Sequence, residues 1–405
     1  MKSGGVLRRA TPAPGRRRVG REWLAAALVV IVLCACQSLP GSSPSPRAPQ
    51  PELIFLGQQI LPPGHRYANT TVGGLSGIDY DPATGRYWVI SDDRSEFGPA
   101  RYYEVALDLS HFNKTSMPGH AGVSFEAAHT LKRLNGSVFA DAQKDPAHSV
   151  DPEAIRVHAP SGRLVWASEG ARILRPGEAP VLTDPHVWEM QRDGAFVRAF
   201  VIPDKFRASA GNRGVRNNLA FEGLAFTPDF ATLFAMTENA LLQDGPAASL
   251  SASSPSRLLA FDYASGQARG EYVVDIAPIP VAPTKADGFA DNGASEILAL
   301  DDQRLIVMER SYAFDVGNTI KLFVVDLRGA TDVSRFDSLA GRVYAPAAKR
   351  LLFDFATLGI RIDNIEGITW GPRLQGGQRS LVFVSDDNFN PRQITQFLAF
   401  EVRGL

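Results

Sequence analysis

The chain has 405 residues, 44% of them hydrophobic and 21% charged, with a formal net charge of −1, which is ordinary globular composition. Without the basic leader described next, 35 Lys and Arg face 42 Asp and Glu, about −7. A domain of that charge lacks the basic face that nucleic acid requires and is better suited to cations. The length allows two or three domains, or a single domain built as a repeat array.

Residues 1–35 read as a signal peptide. Lys2, Arg8, Arg9, Arg16, Arg17, Arg18 and Arg21 form a basic region, and Trp23 to Val32 an apolar core. That core is too short to span a membrane and has the length of a signal-peptide h-region. It ends in Leu33-Cys34-Ala35-Cys36, which resembles the bacterial lipobox, whose last cysteine becomes the lipidated first residue. Cys36 is therefore the expected lipidation site. The alternatives are an ordinary signal peptide with a chance cysteine and, more weakly, a twin-arginine signal at Arg16-Arg17-Arg18. Cleavage before Cys36 leaves one cysteine, so no disulfide forms even though the compartment would permit it. Residues 36–51 are rich in Pro and Ser and read as a tether between lipid anchor and folded domain. Gln37, rather than Asp, follows the cysteine, which by the same resemblance favours the outer membrane of a bacterial envelope, facing the periplasm. The mature protein is expected to be a monomer that touches the membrane through its lipid alone.

From residue 52 onward the chain reads as all-β. Apolar runs are short, rich in Val, Ile, Phe, Leu and Tyr, and separated by Gly, Pro, Asp and Asn. Four strands are expected in each of four units. In the first they are Leu75–Tyr80, Tyr87–Ile90, Tyr102–Leu109 and Phe125–Leu134. In the second they are Ala154–His158, Leu164–Ser168, Val187–Arg192 and Phe196–Ile202. The third offers Gly223–Phe226, Thr232–Met236, Arg257–Tyr263 and Gly270–Ile276, and the fourth Ile297–Leu300, Arg304–Met308, Ile320–Leu327 and Lys349–Phe355. Leu241 to Ser256, low in complexity, is expected to be a flexible loop. The fifth unit supplies only Gly367–Trp370, Leu381–Val384 and Thr395–Val402. Its missing strand is available at the other end, in Glu52 to Ile60. Pairing first strand with last blade closes a β-propeller and removes two free sheet edges. The expected domain, residues 52–405, is a single propeller of five four-stranded blades closed by its N-terminal strand; six blades is the alternative.

The five units share an acidic pair. Glu153 leads to Glu169, Glu222 to Glu238, Glu296 to Glu309 and Glu366 to Asp386, and Ser76 leads to Asp92 with serine in the first place. The spacing is 16 residues in three cases, 13 in one and 20 in one, and the units recur every 69 to 77 residues. In a propeller the first strand of each blade lines the channel and the second runs antiparallel beside it. Both members of every pair then fall at one mouth. Nine carboxylates so placed raise one another's pKa and need an offset. A hard divalent cation such as Ca²⁺, held by carboxylates, carbonyls and water, is one offset. Arg94, Arg172 and Arg310, one to three residues past the second acid, are another, and backbone hydrogen bonds to each carboxylate are a third. Under that last reading the acids are architectural, since a residue repeated in every blade serves the fold more readily than an asymmetric reaction. Gly77, Gly223 and Gly367 follow the first polar position; they imply close approach of a ligand or backbone, or a β-bulge.

Other chemistry is sparse. The seven histidines show no metal-binding spacing and read as surface or loop residues, so zinc is not expected. There is no Gly-x-Ser-x-Gly elbow and no P-loop; Ser76 is the one candidate nucleophile, without an identifiable base. Trp88, Trp166, Trp188 and Trp370 read as core.

Gly74-Leu75-Ser76-Gly77-Ile78, Ser91-Asp92-Asp93-Arg94, Asp151-Pro152-Glu153-Ala154-Ile155, Phe221-Glu222-Gly223-Leu224, Asn364-Ile365-Glu366-Gly367-Ile368 and Ser385-Asp386-Asp387-Asn388 together resemble the bacterial phytase-like family, described as having esterase-like activity. The resemblance covers residues 54–402, and it implies a propeller and hydrolysis of esters or phosphoesters. It is distantly similar to the calcium-dependent alkaline phytases, whose carboxylate-lined mouth holds several Ca²⁺ ions. The dense Lys and Arg set that a many-phosphate substrate needs is not evident here, which argues against inositol hexakisphosphate. Two functions follow. One is a metal-dependent hydrolase with Glu153, Glu222, Glu296, Glu366, Asp92, Glu169, Glu238, Glu309 and Asp386 as candidate ligands. In it Glu222, Glu366 and Ser76 are the candidate catalytic residues, and Arg94 and Arg310 hold an anionic small-molecule ester. The other is a non-catalytic envelope binding module whose acids are structural, because fold does not fix function.

Overall fold

A computed structural model describes residues 51–405; the expected signal peptide, Cys36 and all but the last residue of the tether lie outside them. The described residues form five four-stranded antiparallel sheets and no α-helix. Blade 1 is Leu75–Asp81, Arg86–Ser91, Arg101–Leu107 and Val123–Thr130. Blade 2 is Pro152–His158, Arg163–Ser168, His186–Met190 and Phe196–Ala199. Blade 3 is Phe221–Phe226, Thr232–Thr237, Ser254–Asp262 and Gln267–Ile276, and blade 4 is Ala290–Ala299, Arg304–Ala313, Gly317–Asp326 and Ala348–Asp354. Blade 5 takes Asn364–Trp370, Arg379–Asp386 and Gln396–Arg403 from the C-terminus and Glu52–Ile60 from the N-terminus. The five-bladed ring closed by its first strand is as the sequence implies, and six blades are excluded.

Both faces of each blade pack against a neighbour, which explains why the strands read as continuous apolar runs. Side chains alternate across a strand, so one strand feeds two interfaces. Leu233 and Ala235 enter the seam between blades 2 and 3, while Phe234 and Met236 enter the seam between blades 3 and 4. Each of the five seams holds its own apolar cluster, and the seam between blades 5 and 1, with Val384 and Phe397 against Leu75 and Val89, is built like the rest. Trp88 and Trp166 are buried as expected; Trp370 is only partly buried.

Two expectations fail here. Residues 241–253 form an ordered loop, and residues 254–256 already belong to the third strand of blade 3. Leu241 is buried, the Leu242 N–H bonds to the Gly214 carbonyl at 2.9 Å, and the Ser254 hydroxyl bonds to the Pro246 carbonyl at 2.9 Å. Its small residues allow close packing rather than freedom. Two of the histidines are also interior: His158 stacks on Tyr263, and His186 lies between Trp166 and Trp188, where burial pulls its pKa down to about 3.

The channel is closed at its waist by one side chain. Arg156, on the inner strand of blade 2, donates to one carbonyl from each inner strand. These are Ile78 at 2.6 Å, Leu224 at 2.7 Å, Ile155 and Ile297 at 3.0 Å and Ile368 at 3.2 Å. Its charge is met by Glu296, 2.7 Å away. Five carbonyls and one carboxylate use the whole guanidinium fork, so this buried pair leaves no donor unmet.

Candidate active site at the acidic channel mouth

Each inner hairpin carries the same irregularity. One extra residue bulges from the inner strand, at Ser76 in blade 1, Glu222 in blade 3, Ser295 in blade 4 and Glu366 in blade 5. In blade 2 the break spans Glu153 and Ala154. A bulge re-aims a side chain at a strand end, and here it turns these five residues toward the mouth. In blades 1, 3 and 5 the residue after it is glycine. A Cβ on Gly223 would lie 2.9 Å from the Ile297 nitrogen, and one on Gly77 would lie 2.7 Å from the Glu153 carbonyl. Both readings of these glycines hold: they flank a bulge, and a neighbouring blade's backbone passes against them.

The bulge fixes the true equivalences and corrects the spacing argument in blade 4. Ser295, not Glu296, matches Glu222; Glu296 sits one residue further along, at the glycine position. It is therefore turned into the channel waist, where its second oxygen accepts from the Leu224 and Ile297 N–H groups while Arg156 meets the first. Likewise Arg310, not Glu309, stands where Asp92, Glu169, Glu238 and Asp386 stand in the other blades. Glu309 faces Lys349 and accepts from Asn292 and the Ala277 N–H in the wall between blades. Neither Glu296 nor Glu309 belongs to the mouth. Arg172 also points elsewhere, to the Ser209 and Gly211 carbonyls.

The mouth thus has an inner ring of Ser76, Glu153, Glu222, Ser295 and Glu366 and an outer ring of Asp92, Glu169, Glu238, Arg310 and Asp386. Beside the outer ring, two residues before each bulge, lie Gly74, Asp151, Ala220, Gly293 and Asn364. Asp151 was not singled out from the sequence as a site residue; the signal for it was its place two residues ahead of Glu153. At these ring positions blade 2 has three acids and blade 4 none, although Asp291 of blade 4 lines the mouth near Arg310. The cavity at this mouth, about 840 Å³, is lined by Asp92, Glu153, Glu222, Glu366 and Asp386 together with Asp291 and Asp363, and by the guanidiniums of Arg94, Arg310, Arg361 and Arg392. Asp151, Glu169 and Glu238 are buried beside these acids.

Some of this charge is matched. Arg94 grips Asp151 through Nε and Nη2, both at 2.7 Å. Arg310 reaches Glu238 Oε1 at 3.1 Å and Glu366 Oε1 at 3.4 Å. Asn364 bridges Glu366 and Asp386 at 2.9 and 3.0 Å. The Ser76 hydroxyl donates to Glu153 at 2.7 Å, so it serves the ring, and no histidine accompanies it as a base among the described residues. Asp93 and Asp387, next to two of the acids, turn away to Arg101 and to the Gly74 and Phe389 N–H groups.

The rest is unmatched. Glu169 Oε2 and Glu238 Oε2 are buried with no hydrogen-bond partner. Desolvation, then the charges of neighbouring acids, pushes Asp92, Glu153, Glu169, Glu222 and Asp386 well above the usual carboxylate range. Burial raises Glu238 to about 8 against the opposing pull of Arg310. Ligand atoms of Glu169, Glu222 and Glu238 come within 4.8 Å of one another, and so do those of Asp151, Glu153 and Glu169. The donor set is all oxygen, which suits a hard cation, and the two orphaned oxygens lie within it.

Over residues 70–389 the chain matches the family described as phytase-like, with esterase-like activity of phytase. The chain belongs to the phytase-like family. That span contains every residue of the two rings. No curated protein sequence matches it. Similar solved structures include a gluconolactonase from Xanthomonas campestris, 14% identical over 87% of this chain and 91% of that one, with a TM-score of 0.33. They also include a periplasmic gluconolactonase of Pseudomonas aeruginosa, 13% identical over 84% and 89%, TM-score 0.32. A protein of unknown function from Dyadobacter fermentans is 9% identical over 87% and 99%, TM-score 0.38.

Proposed function

We propose that this phytase-like propeller is a metal-dependent hydrolase of phosphoesters or other small esters, acting at the acidic mouth with a divalent cation, calcium by its oxygen donors. The observation that carries this is the Glu169, Glu222, Glu238 triad, three buried carboxylates of two adjacent blades whose ligand atoms converge while two oxygens lack any partner. Buried like charges at that separation are unfavourable unless neutralised. Asp151 and Glu153 extend the same donor set through Glu169.

When bound there, a cation polarises the ester or phosphoryl oxygen and lowers the pKa of a water. The chain's own residues divide the remaining work. Glu222 belongs to the converging ligand triad, so it holds the cation and orients the water that the cation activates. Glu366 receives Asn364 and Arg310, which favour its carboxylate form against burial, so it takes the proton of that water and returns it to the leaving oxygen. Arg310 and Arg94 present guanidinium N–H groups on opposite sides of the acids and fix an anionic ester between them.

The experiment is cation binding and turnover on one sample. The purified protein is expected to bind Ca²⁺, to lose thermal stability in EDTA and to turn over members of a phosphoester and acyl-ester panel. Glu222→Gln should weaken cation binding, because it removes a charged oxygen ligand, and abolish turnover. Cation binding without turnover favours the binding module; hydrolysis untouched by EDTA removes metal chemistry and returns attention to Ser76.

The same reading places the mature protein on the outer membrane, facing the periplasm, as a monomer tethered by residues 36–51 from a lipidated Cys36. Mass spectrometry of the mature N-terminus tests it, with Cys36→Ala expected to release the protein in soluble form.

A further inference from the structure

The inner strands run parallel to one another around the ring, so their C-terminal ends gather at the mouth opposite the acids. There they surround a second cavity of about 430 Å³, within the range of small-molecule sites. Arg156 forms its floor and, with Glu296, separates it from the acidic side. Its walls are aromatic: Tyr80, Phe226, Phe230 and Trp370. Phe230 sits in the left-handed region at φ 59°, which a bulky side chain rarely adopts. The Thr227–Phe230 turn holds it there, with the Phe230 N–H on the Thr227 carbonyl at 2.8 Å, and its ring packs on Phe226.

The lip is positive. Arg379 stacks on Trp370 with its guanidinium 3.2 Å from the ring centroid, and Arg373 lies beside it. No carboxylate lies within ion-pair distance of either among the described residues; Arg373 reaches only the Gly377 carbonyl, at 2.9 Å. The one acid in the wall, Asp79, is spent on the Val157 N–H and the Thr369 hydroxyl. Burial and the nearby Arg373 both work against the Arg379 charge and lower its pKa. Two adjacent cations without counter-charge above an aromatic well select a particular ligand shape.

We propose that this cavity is a second binding site, for a small planar aromatic molecule carrying one anionic group, with the ring between Phe230 and Trp370 and the anion on Arg373 and Arg379. The test is titration of the purified protein with 2-naphthoate, followed by Trp fluorescence and calorimetry, with neutral 2-naphthol as comparison. One saturable site is expected, with 2-naphthol binding at least about fivefold more weakly and Arg373→Gln and Arg379→Gln each costing about fivefold. Glu222→Gln, at the opposite mouth, should leave it unchanged, and thermal melts establish that each variant folds. The proposal is overturned by absence of saturable binding, by equal affinity for 2-naphthol, or by binding that survives both arginine substitutions.

Discussion

Arg310 occupies an acid's place in the outer ring, and its charge decides how much of the mouth must be neutralised from outside. Arg310→Met removes the partner of Glu238 and Glu366. The variant is expected to melt lower in EDTA than the parent and to gain more from Ca²⁺, as read by thermal shift. The acids also give the fold a pH dependence of definite sign. Glu238 has a folded pKa of about 8 against an ordinary 4.5, and the coupled acids are displaced in the same direction. A raised carboxyl pKa means the folded state holds protons that the unfolded state releases. Its contribution to stability is complete below pH 4.5 and is lost as pH rises through about 8. In EDTA the melting temperature should therefore fall across that window, while a cation-loaded sample changes little, so that the stabilisation by Ca²⁺ widens with pH. A flat EDTA profile would show that the carboxylates are ionised and compensated within the protein.

The bulged hairpin is the element that makes the mouth, and it explains both the success and the error of reading by spacing. Four blades keep an acid or serine, then a small residue, then an aliphatic one, so their positions could be found from sequence. Blade 4 replaces that order with Ser295-Glu296 and Glu309-Arg310. Matching residue types then drew Glu296 and Glu309 into a ring to which they do not belong, whereas matching the aliphatic Ile297 to Leu224 recovers Ser295 and Arg310. Pairing register, unlike composition, is a property of two strands, and one sequence run does not state it. The Arg94–Asp151 pair was illegible for the same reason, since the partners are 57 residues apart on different blades. Gly223→Ala tests the element directly. Its Cβ meets backbone, which cannot rotate away, so a loss of about 1–3 kcal/mol is expected in chemical denaturation. Gly211→Ala, whose Cβ would approach nothing closer than 4.0 Å, should be close to neutral.

At the scale of the molecule, five equivalent seams make closure a collective property. Deleting residues 52–60 exposes the Gln396–Arg403 edge and removes Leu53 from the seam between blades 4 and 5. An open edge of that length invites pairing between chains, so the truncated protein should aggregate and lose its single cooperative transition, measured by light scattering and calorimetry. Arg156→Met should cost about 3–5 kcal/mol, because it strands a buried Glu296, and Glu296→Gln in the same chain should recover part of it. The axial guanidinium has a kinetic consequence as well. It makes the acidic cavity a blind alley with one door. Under the proposed activity substrate and both products share that door, so the last product to leave should inhibit competitively.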